Sequence, residues 1–229
     1  MGEQRLIKHD SMIESFLAEY PRMRFRPTVD GTISLVGRFP FSASAEGLPD
    51  LTDEYRIRID IVDQLDKALP VIYETGGRIP SSIDNHVNGD RTLCLGSPLS
   101  QRLKLGAKPT LTRFVELCLV PFLYAQSLRE KGIAQFPFGE LAHGSQGLID
   151  DYMMIFGVED TVVLMRLLDL LSMKRRRANK LPCPCGCGRR FARCRLHATA
   201  NRARAILSRW DIKRAYKQLQ GQIEPDEDL

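Results

Sequence analysis

The chain has 229 residues, of which 43% are apolar and 27% charged. This composition is ordinary for a globular protein, and the length allows one full core with an appended module. The sequence opens without an apolar signal core and contains no apolar run of the roughly 18 residues that a membrane span needs. We therefore expect a cytoplasmic protein without membrane contact. Disulfides are rare in that compartment, so the six cysteines need another explanation.

The net charge of +5 is unevenly distributed along the chain. Residues 161–229 hold 16 Lys and Arg against 6 Asp and Glu, a net charge of +10, so the remaining residues carry −5. A mildly acidic body with a basic tail predicts two modules with different partners, divided as 1–160 and 161–229.

The first module is predicted to begin with a helix over residues 11–20. Ser11 and Glu14 form a capping-box pattern, apolar residues follow at helical spacing, and Pro21 ends the helix. Four strands are expected next, and Asp30-Gly31 marks a hairpin between the first two. The strands are predicted at 23–29, 32–43, 55–62 and 68–77. The expected fold class is therefore α+β, with a four-stranded antiparallel meander.

A stretch with little periodicity follows, from Arg78 to about Pro109. Irregular stretches of this length inside a compact domain are usually functional. Cys118 lies beyond it on an apolar helical pattern, so we interpret this cysteine as part of the core. Further helices are predicted at 111–131, 147–156, 161–173 and 199–220. The last of these offers five residues for packing: Ile206, Leu207, Trp210, Tyr216 and Leu219.

Four cysteines and a histidine lie within fifteen residues near the end of the chain: Cys183, Cys185, Cys187, Cys194 and His197. Thiolates and an imidazole at such spacing suit tetrahedral Zn²⁺. The stretch resembles the SEC-C motif, a short zinc module found at the end of the SecA translocation motor and in many bacterial proteins. That family reads Cys-x-Cys-Gly-Ser-Gly-Lys-Lys-Tyr, followed by Cys and then Cys or His.

The resemblance implies that Cys183, Cys185 and Cys194 are zinc ligands. Two departures concern the fourth ligand, because Cys187 stands at the family's serine and Arg195 at its last ligand position. We predict His197 as the fourth ligand, with Cys187 as the competing alternative. The zinc is expected to be structural, since the sequence shows neither an open coordination position nor a catalytic base beside it.

Cys94 lies in the irregular stretch, within a polar segment that also contains His86 and Asn88. A nucleophilic cysteine needs exposure and hydrogen-bond donors for the oxyanion of its tetrahedral intermediate. A polar loop offers the exposure, while His86, Asn88 and nearby backbone N–H groups offer the donors.

The element order and this segment resemble the ubiquitin-conjugating enzymes, in which His-Pro-Asn precedes Cys-Leu. They are more similar to prokaryotic relatives in bacterial anti-phage operons, whose pattern ends in Gly-x-Leu-Cys-Leu. The matching residues are Arg78-Ile79-Pro80, His86-Val87-Asn88, Thr92-Leu93-Cys94-Leu95-Gly96, and later 139–144 and 147–152. The resemblance covers roughly residues 8–157. Val87 replaces the family's proline, and the gap from His86 to Cys94 is two residues shorter than in the eukaryotic enzymes.

The resemblance implies a cysteine-dependent conjugating enzyme. Cys94 would accept an activated C-terminal acyl group as a thioester and pass it to a target amine. Asn88 would stabilise the oxyanion or brace the loop, and His86 would order the loop or assist catalysis. His143 either borders the site or is a solvent-exposed loop residue.

The implied partners are a ubiquitin-like protein or the C-terminus of a cyclic-nucleotide synthase, in antiviral defence. A separate activating enzyme is also implied, because the sequence has no Gly-rich nucleotide loop. The alternative is a non-catalytic zinc-containing module that binds an acidic protein or a nucleic acid. We do not expect a nucleic-acid partner, because the basic tail offers few aromatic residues for base stacking.

Overall fold

The computed structural model describes residues 3–28, 32–62, 64–133 and 144–223. The fold is α+β, with one four-stranded antiparallel sheet in the order β1-β2-β3-β4, which confirms the predicted class and meander. The strands are β1 (Met23–Arg26), β2 (Ile33–Ala43), β3 (Leu51–Ile61) and β4 (Val71–Glu74). The α-helices are α1 (Glu3–Glu19), α2 (Pro98–Leu105), α3 (Leu111–Phe114), α4 (Val120–Glu130), α5 (Gly144–Phe156), α6 (Thr161–Ser172), α7 (Arg175–Ala178), α8 (Arg195–Arg204) and α9 (Arg209–Ile223).

The chain forms two compact units. The first comprises Met1–Gly96 and Lys108–Gly139, and the second comprises Ser97–Ala107 and Glu140–Leu229. The predicted division at residue 160 does not coincide with this one. The helices α2 and α5 precede residue 160 but belong to the second unit, where both contact α9 and α5 also contacts α6 and α8. Elements on both sides of residue 160 thus share one core, which the change in charge along the sequence did not reveal.

The inner face of the sheet forms the core of the first unit. β2 and β3 pair along their full lengths, from Ile33 opposite Ile61 to Ala43 opposite Leu51. Alternate side chains on these strands are buried, as a half-buried sheet requires. Phe39 stacks on Tyr20, with ring centroids 4.7 Å apart, and Tyr20 stacks on Phe16 of α1. The aromatic column therefore fixes α1 against the sheet.

Gly37 allows the first strand to begin close to the second. It lies opposite Met23 in the β1–β2 register and has a φ of 157°. A Cβ at this position would lie 2.2 Å from the carbonyl oxygen of Arg22. Any larger residue would therefore push β1 away from β2 at the end where Arg22 enters the sheet.

Arg78 connects the sheet to α4 at the point where the chain leaves β4. Its guanidinium lies 2.6 Å from carboxylate oxygens of both Asp53 and Glu130 and stacks on the Tyr55 ring, 4.1 Å from its centroid. Ser127 of α4 donates to Asp53 and also contacts the Tyr55 hydroxyl. Hydrogen bonds from Arg78, above all, lower the pKa of the Asp53 carboxyl to about 2. One network therefore joins β3, α4 and the start of the irregular segment.

The structure differs from the predicted helices in three places. α1 begins at Glu3, so Ser11 lies inside the helix and does not cap it. Residues 98–105, expected to be irregular, form α2, which begins at Pro98 with Ser97 as its N-cap. The single helix expected at 199–220 is two helices, α8 and α9. The Asp30-Gly31 hairpin signal lies outside the described residues.

The break between α8 and α9 has a local cause. The Ser208 hydroxyl accepts from the Asp211 N–H at 3.1 Å, and the Asp211 carboxylate accepts from the Ser208 N–H at 2.9 Å. This reciprocal pattern is a capping box, which starts a new helix. Trp210 falls in its first turn and is 70% exposed, whereas Leu207 and Leu219, also expected to pack, are buried.

The second unit has its own apolar core, formed mainly by α5, α6, α8 and α9. Large side chains that are fully buried include Tyr152, Phe156, Leu168, Phe191 and Ile212. α6 begins at the N-cap Asp160, whose carboxylate accepts from two N–H groups of the first turn. Cys118 belongs to the first unit and is 3% exposed, which agrees with its predicted core position. None of the helices in the described ranges is both long and apolar enough to cross a lipid bilayer.

Replacing Arg78 should destabilise the first unit. We expect Arg78→Met to lower the free energy of unfolding by about 2 kcal/mol at pH 7, less than for a fully buried pair because both partners retain some exposure. The folded-state pKa of Asp53 lies below its unfolded value, so its contribution is complete above about pH 4 and is lost towards pH 2. The stabilities of the variant and the parent should therefore converge in that window, as measured by urea unfolding.

Arg38→Met is the matched control for this experiment. Arg38 also pairs with a carboxylate, that of Glu54 at 3.2 Å, but its side chain is 60% exposed. We expect a change below about 1 kcal/mol for such an exposed pair. Equal losses in the two variants would contradict the structural role assigned to Arg78.

Candidate functional site

Cys94 lies at the end of a small hairpin that is attached to the sheet. Val87 and Leu93 form an antiparallel bridge, and the Leu93 N–H donates to the Ile72 carbonyl of β4 at 2.8 Å. The Cys94 N–H donates to the His86 carbonyl, also at 2.8 Å. The Cys94 side chain is partly exposed, whereas its neighbours Leu93 and Leu95 are buried. Buried leucines and backbone hydrogen bonds therefore hold a reachable thiol in a fixed position.

The tip of this hairpin is closed by polar side chains. The Asn88 amide donates to the Thr92 hydroxyl at 2.8 Å, and the Thr92 hydroxyl donates to the Asp90 carboxylate at 2.6 Å. The Thr92 N–H also donates to Asp90, at 3.0 Å, and these hydrogen bonds lower the pKa of the Asp90 carboxyl. The Asn88 side chain is therefore part of the hydrogen-bond network that closes the hairpin tip.

His86 orders the same loop through its backbone. It has a left-handed conformation, with φ 52° and ψ 41°, and ends the short 3-10 helix Ile83–Asn85. Residues other than glycine adopt this conformation infrequently, and histidine is among those that tolerate it. The turn directs the chain from the 3-10 helix into the hairpin, so that the His86 carbonyl meets Cys94. His143, the other histidine considered for this site, lies outside the described residues.

A second candidate site is formed by four thiols in the second unit. The sulfur atoms of Cys183, Cys185, Cys187 and Cys194 all lie within 4.8 Å of one another. The Cys183–Cys185 and Cys185–Cys194 sulfur distances are 3.2 and 3.6 Å, too long for a disulfide. Metal–sulfur bonds of about 2.3 Å in a tetrahedron place sulfurs about 3.8 Å apart. Four cysteines therefore converge with dimensions that can hold a metal ion.

The local backbone explains the convergence. The Cys183 N–H donates to the Arg189 carbonyl at 2.9 Å, and Pro182 bridges Arg190, which closes a narrow turn. Gly186 and Gly188 have φ values of 75° and 72°, the left-handed conformation that glycine adopts at no steric cost. This alternation of cysteine and glycine turns successive thiols towards the same point.

The electrostatics of the cluster favour a bound cation. Burial, first of all, and the neighbouring thiols of Cys185 and Cys194 raise the pKa of the Cys183 thiol. Cysteine binds metals as the thiolate, and a cation bound at this point would offset the cost of a buried thiolate at Cys183. Cys194 is also the N-cap residue of α8, where the helix dipole favours negative charge. The donor set fits a soft or borderline metal ion.

His197 lies outside this group of four. Its Nε2 is 3.1 Å from the Asn179 side-chain oxygen, and its Nδ1 is 3.2 Å from the Asn201 amide nitrogen. Burial, then the positive charges of Arg175 and Arg204, lower the pKa of His197, which favours a neutral ring. The structure thus brings Cys187 into the cluster where His197 was predicted, and His197 connects α8 to the segment before the cluster.

The sequence contained signals for some of these residues. Asn88-Gly89 is a turn dipeptide, which indicates the hairpin that Thr92 and Asp90 complete. The alternation of cysteine and glycine at 185–188 favours Cys187 as a ligand, because the glycines permit the tight turn. No signal in the sequence indicated Asn179 or Asn201 as partners of His197.

Comparisons with known proteins do not assign the chain to a family, since no family model, no curated protein and no solved structure matches it. The resemblances to ubiquitin-conjugating enzymes and to the SEC-C motif therefore stay predictions.

Substituting the candidate fourth ligand should separate Cys187 from His197. With Co²⁺ as the probe, we expect the parent chain to show the strong sulfur-to-metal absorption of a four-thiolate site. His197→Ala should keep this spectrum, whereas Cys187→Ser should weaken both the absorption and the affinity. The opposite pattern would show that histidine completes the site.

Proposed function

We propose that the chain is a cysteine-dependent, ubiquitin-like conjugating enzyme in which Cys94 carries the acyl group as a thioester. One observation supports this choice above others. Of the six cysteines, four belong to the thiol cluster and Cys118 is buried. Cys94 alone is both partly exposed and outside the cluster, so it is the accessible thiol that a metal ion in the cluster would leave free for an acyl donor.

The sheet and the hairpin support the proposal in a second way. A four-stranded meander followed by an irregular segment is the element order that the resemblance to ubiquitin-conjugating enzymes implies. Within that segment, hydrogen bonds from the Leu93 N–H to Ile72 and from the Cys94 N–H to His86 fix the backbone at and before the thiol. A fixed nucleophile loses little entropy when the donor carbonyl approaches.

The proposed reaction is two successive acyl transfers. The Cys94 thiolate attacks the carbonyl carbon of an activated C-terminus, forming a new thioester as the thiolate of the donor enzyme leaves. A target amine then attacks this thioester, loses a proton to solvent or a nearby base, and releases the Cys94 thiolate. Asn88 and His86 act as positioning residues in this scheme. The donor is a separate activating enzyme, and a ubiquitin-like protein or the C-terminus of a cyclic-nucleotide synthase is the group carried, in anti-phage defence.

The metal of the thiol cluster is proposed to be a structural Zn²⁺. Zinc suits four thiolates, and a site with four protein ligands has no open position for a substrate. When bound, the ion would cross-link the turn at 183–188 to the first residue before α8, in place of a larger apolar core. Cys183, Cys185, Cys187 and Cys194 would hold it.

A second candidate function is a binding module for an acidic partner. Residues 170–210 contain 12 Lys and Arg and no Asp or Glu, and the side chains of Lys174, Arg175, Arg176 and Arg177 are exposed. Such a surface attracts polyanions and acidic proteins. This function needs no reaction at Cys94, so it predicts that Cys94→Ala and Cys94→Ser bind the acidic partner as the parent chain does.

The thioester is testable by co-expressing the chain with the proteins encoded beside it. We expect a thiol-sensitive adduct on the parent chain, none on Cys94→Ala, and a stable ester on Cys94→Ser. Intact mass identifies the carried group. Cys118→Ala is the control, because removing a buried thiol in the core should leave the adduct unchanged.

The absence of an adduct is informative only when the activating enzyme is itself charged. If that enzyme forms its own thioester and the folded parent chain still acquires no adduct, the conjugating function is wrong. An adduct that persists in Cys94→Ala would place the acyl group on another residue.

Zinc can be tested independently of the reaction. We expect one zinc per chain by elemental mass spectrometry of protein purified without chelators. Chelation should lower the unfolding temperature of the second unit by several degrees, because metal-binding energy contributes to its stability. Cys94→Ala should retain the zinc. A chain that holds no zinc, or whose unfolding is insensitive to chelation, would contradict the proposal.

A further inference from the structure

The outer face of the sheet carries an unusual concentration of arginine. The strand registers place Arg24 and Arg26 of β1, Arg38 of β2, and Arg56 and Arg58 of β3 on this face. Arg22 joins them from the turn before β1, through its contact with Glu54. We call this set the arginine face. The opposite face of the sheet supplies the core described above.

Two carboxylates on this face neutralise it only in part. Glu54 pairs with both Arg22 and Arg38, and Asp60 pairs with Arg58 at 3.2 Å. Within the part of the chain whose side chains are described, no carboxylate lies within ion-pair distance of Arg24, Arg26 or Arg56. Among the residues that the structure describes, six arginines against two carboxylates leave a net charge of +4 on this surface.

The arrangement is unfavourable for folding alone. Arg38 lies directly opposite Arg56 in the β2–β3 register, and like charges at that position destabilise a sheet by up to about 1 kcal/mol. Glu54 compensates the charge of Arg38, but no carboxylate of the described residues pairs with Arg56, and a sequence that leaves such a local conflict commonly does so at a functional surface. The repulsion would be relieved by an anion that contacts both guanidinium groups.

The geometry suits a regular row of anions. Outward-facing residues of one strand are about 6.8 Å apart and adjacent strands about 4.8 Å apart, so the Cα atoms that carry these arginines form a regular grid. Arg58 is held in place by stacking on the Tyr73 ring, 3.8 Å from its centroid. The cations that define the arginine face are all arginines, and a planar guanidinium group can donate two parallel hydrogen bonds to one phosphate.

We propose that the arginine face binds the phosphodiester backbone of a nucleic acid. A protein partner would need an apolar centre, but the outward-facing apolar residues of the described strands, Val36, Pro40, Val71 and Tyr73, are all half-buried. Backbone phosphates need only the cations and the spacing. This face is distinct from the C-terminal basic tail, where few aromatic residues are available for base stacking. The proposal is independent of the reaction at Cys94.

The test compares oligonucleotide binding by the full-length parent and by Arg24→Ala/Arg26→Ala/Arg56→Ala. Fluorescence anisotropy with labelled oligothymidylate, oligouridylate and a DNA duplex distinguishes the kinds of nucleic acid. We expect the triple variant to bind its preferred oligonucleotide at least about tenfold more weakly, and its log–log salt slope to fall by about 2 for a single strand. The matching variant Arg24→Lys/Arg26→Lys/Arg56→Lys keeps the charge, so its log–log salt slope should equal that of the parent. It also serves as the control for the effect of three substitutions on folding.

Arg175→Ala/Arg176→Ala/Arg177→Ala removes the same charge from the second unit and is the specificity control. The proposal requires its loss of affinity to be clearly smaller than that of the sheet variant. An equal or larger loss, or no oligonucleotide binding by the parent, would overturn it. The proposal would also be overturned if the sheet substitutions weakened binding to vesicles rich in phosphatidylserine, or to an acidic peptide, but left oligonucleotide binding unchanged.

Discussion

The position of Cys94 depends on how the ends of its segment are fixed, and the first fixed point is the Arg78 guanidinium. It contacts Asp53, Glu130 and the Tyr55 ring together, so the chain leaves β4 in one direction only. The second fixed point is the hydrogen bond from Leu93 to β4. Between them the chain makes no regular strand or long helix, yet its course is determined. A polar network of this kind is strong because every member has a partner, and it loses most when one member is removed.

The sheet could be predicted from the sequence because its inner and outer residues alternate. The start of β3 was missed, since Thr52, Asp53 and Glu54 are all polar and show no alternation. Asp53 points inward there because Arg78 and Ser127 satisfy its carboxylate, and a single-sequence pattern does not contain that long-range information. The break before α9 is a different case. Ser208 and Asp211 form a capping pattern in the sequence, but the apolar residues continue at helical spacing across the break and therefore predict one helix.

The thiol cluster could be predicted as a group, but its fourth member could not be chosen from spacing alone. Four ligands near one point require the backbone to turn sharply, and here Gly186 and Gly188 supply the left-handed conformations. His197 lies in the first turn of α8, where Asn179 and Asn201 contact its ring nitrogens. The partners of an imidazole are set by tertiary packing. Residue type therefore identified the chemistry of the site, and backbone conformation identified which residues take part.

The two cysteine environments have opposite chemical requirements, and the proposed functions depend on keeping them apart. A conjugating enzyme needs one accessible thiol, while three of the cluster cysteines are also exposed or partly exposed. Left without metal, those thiols would compete with Cys94 for an activated acyl group and would oxidise readily. A bound metal ion would coordinate the lone pairs of these sulfur atoms, so that they could no longer act as nucleophiles towards the acyl group. The proposed metal would then contribute to the selectivity of the proposed reaction at Cys94 as well as to the stability of the second unit, although the two sites belong to separate units of the chain.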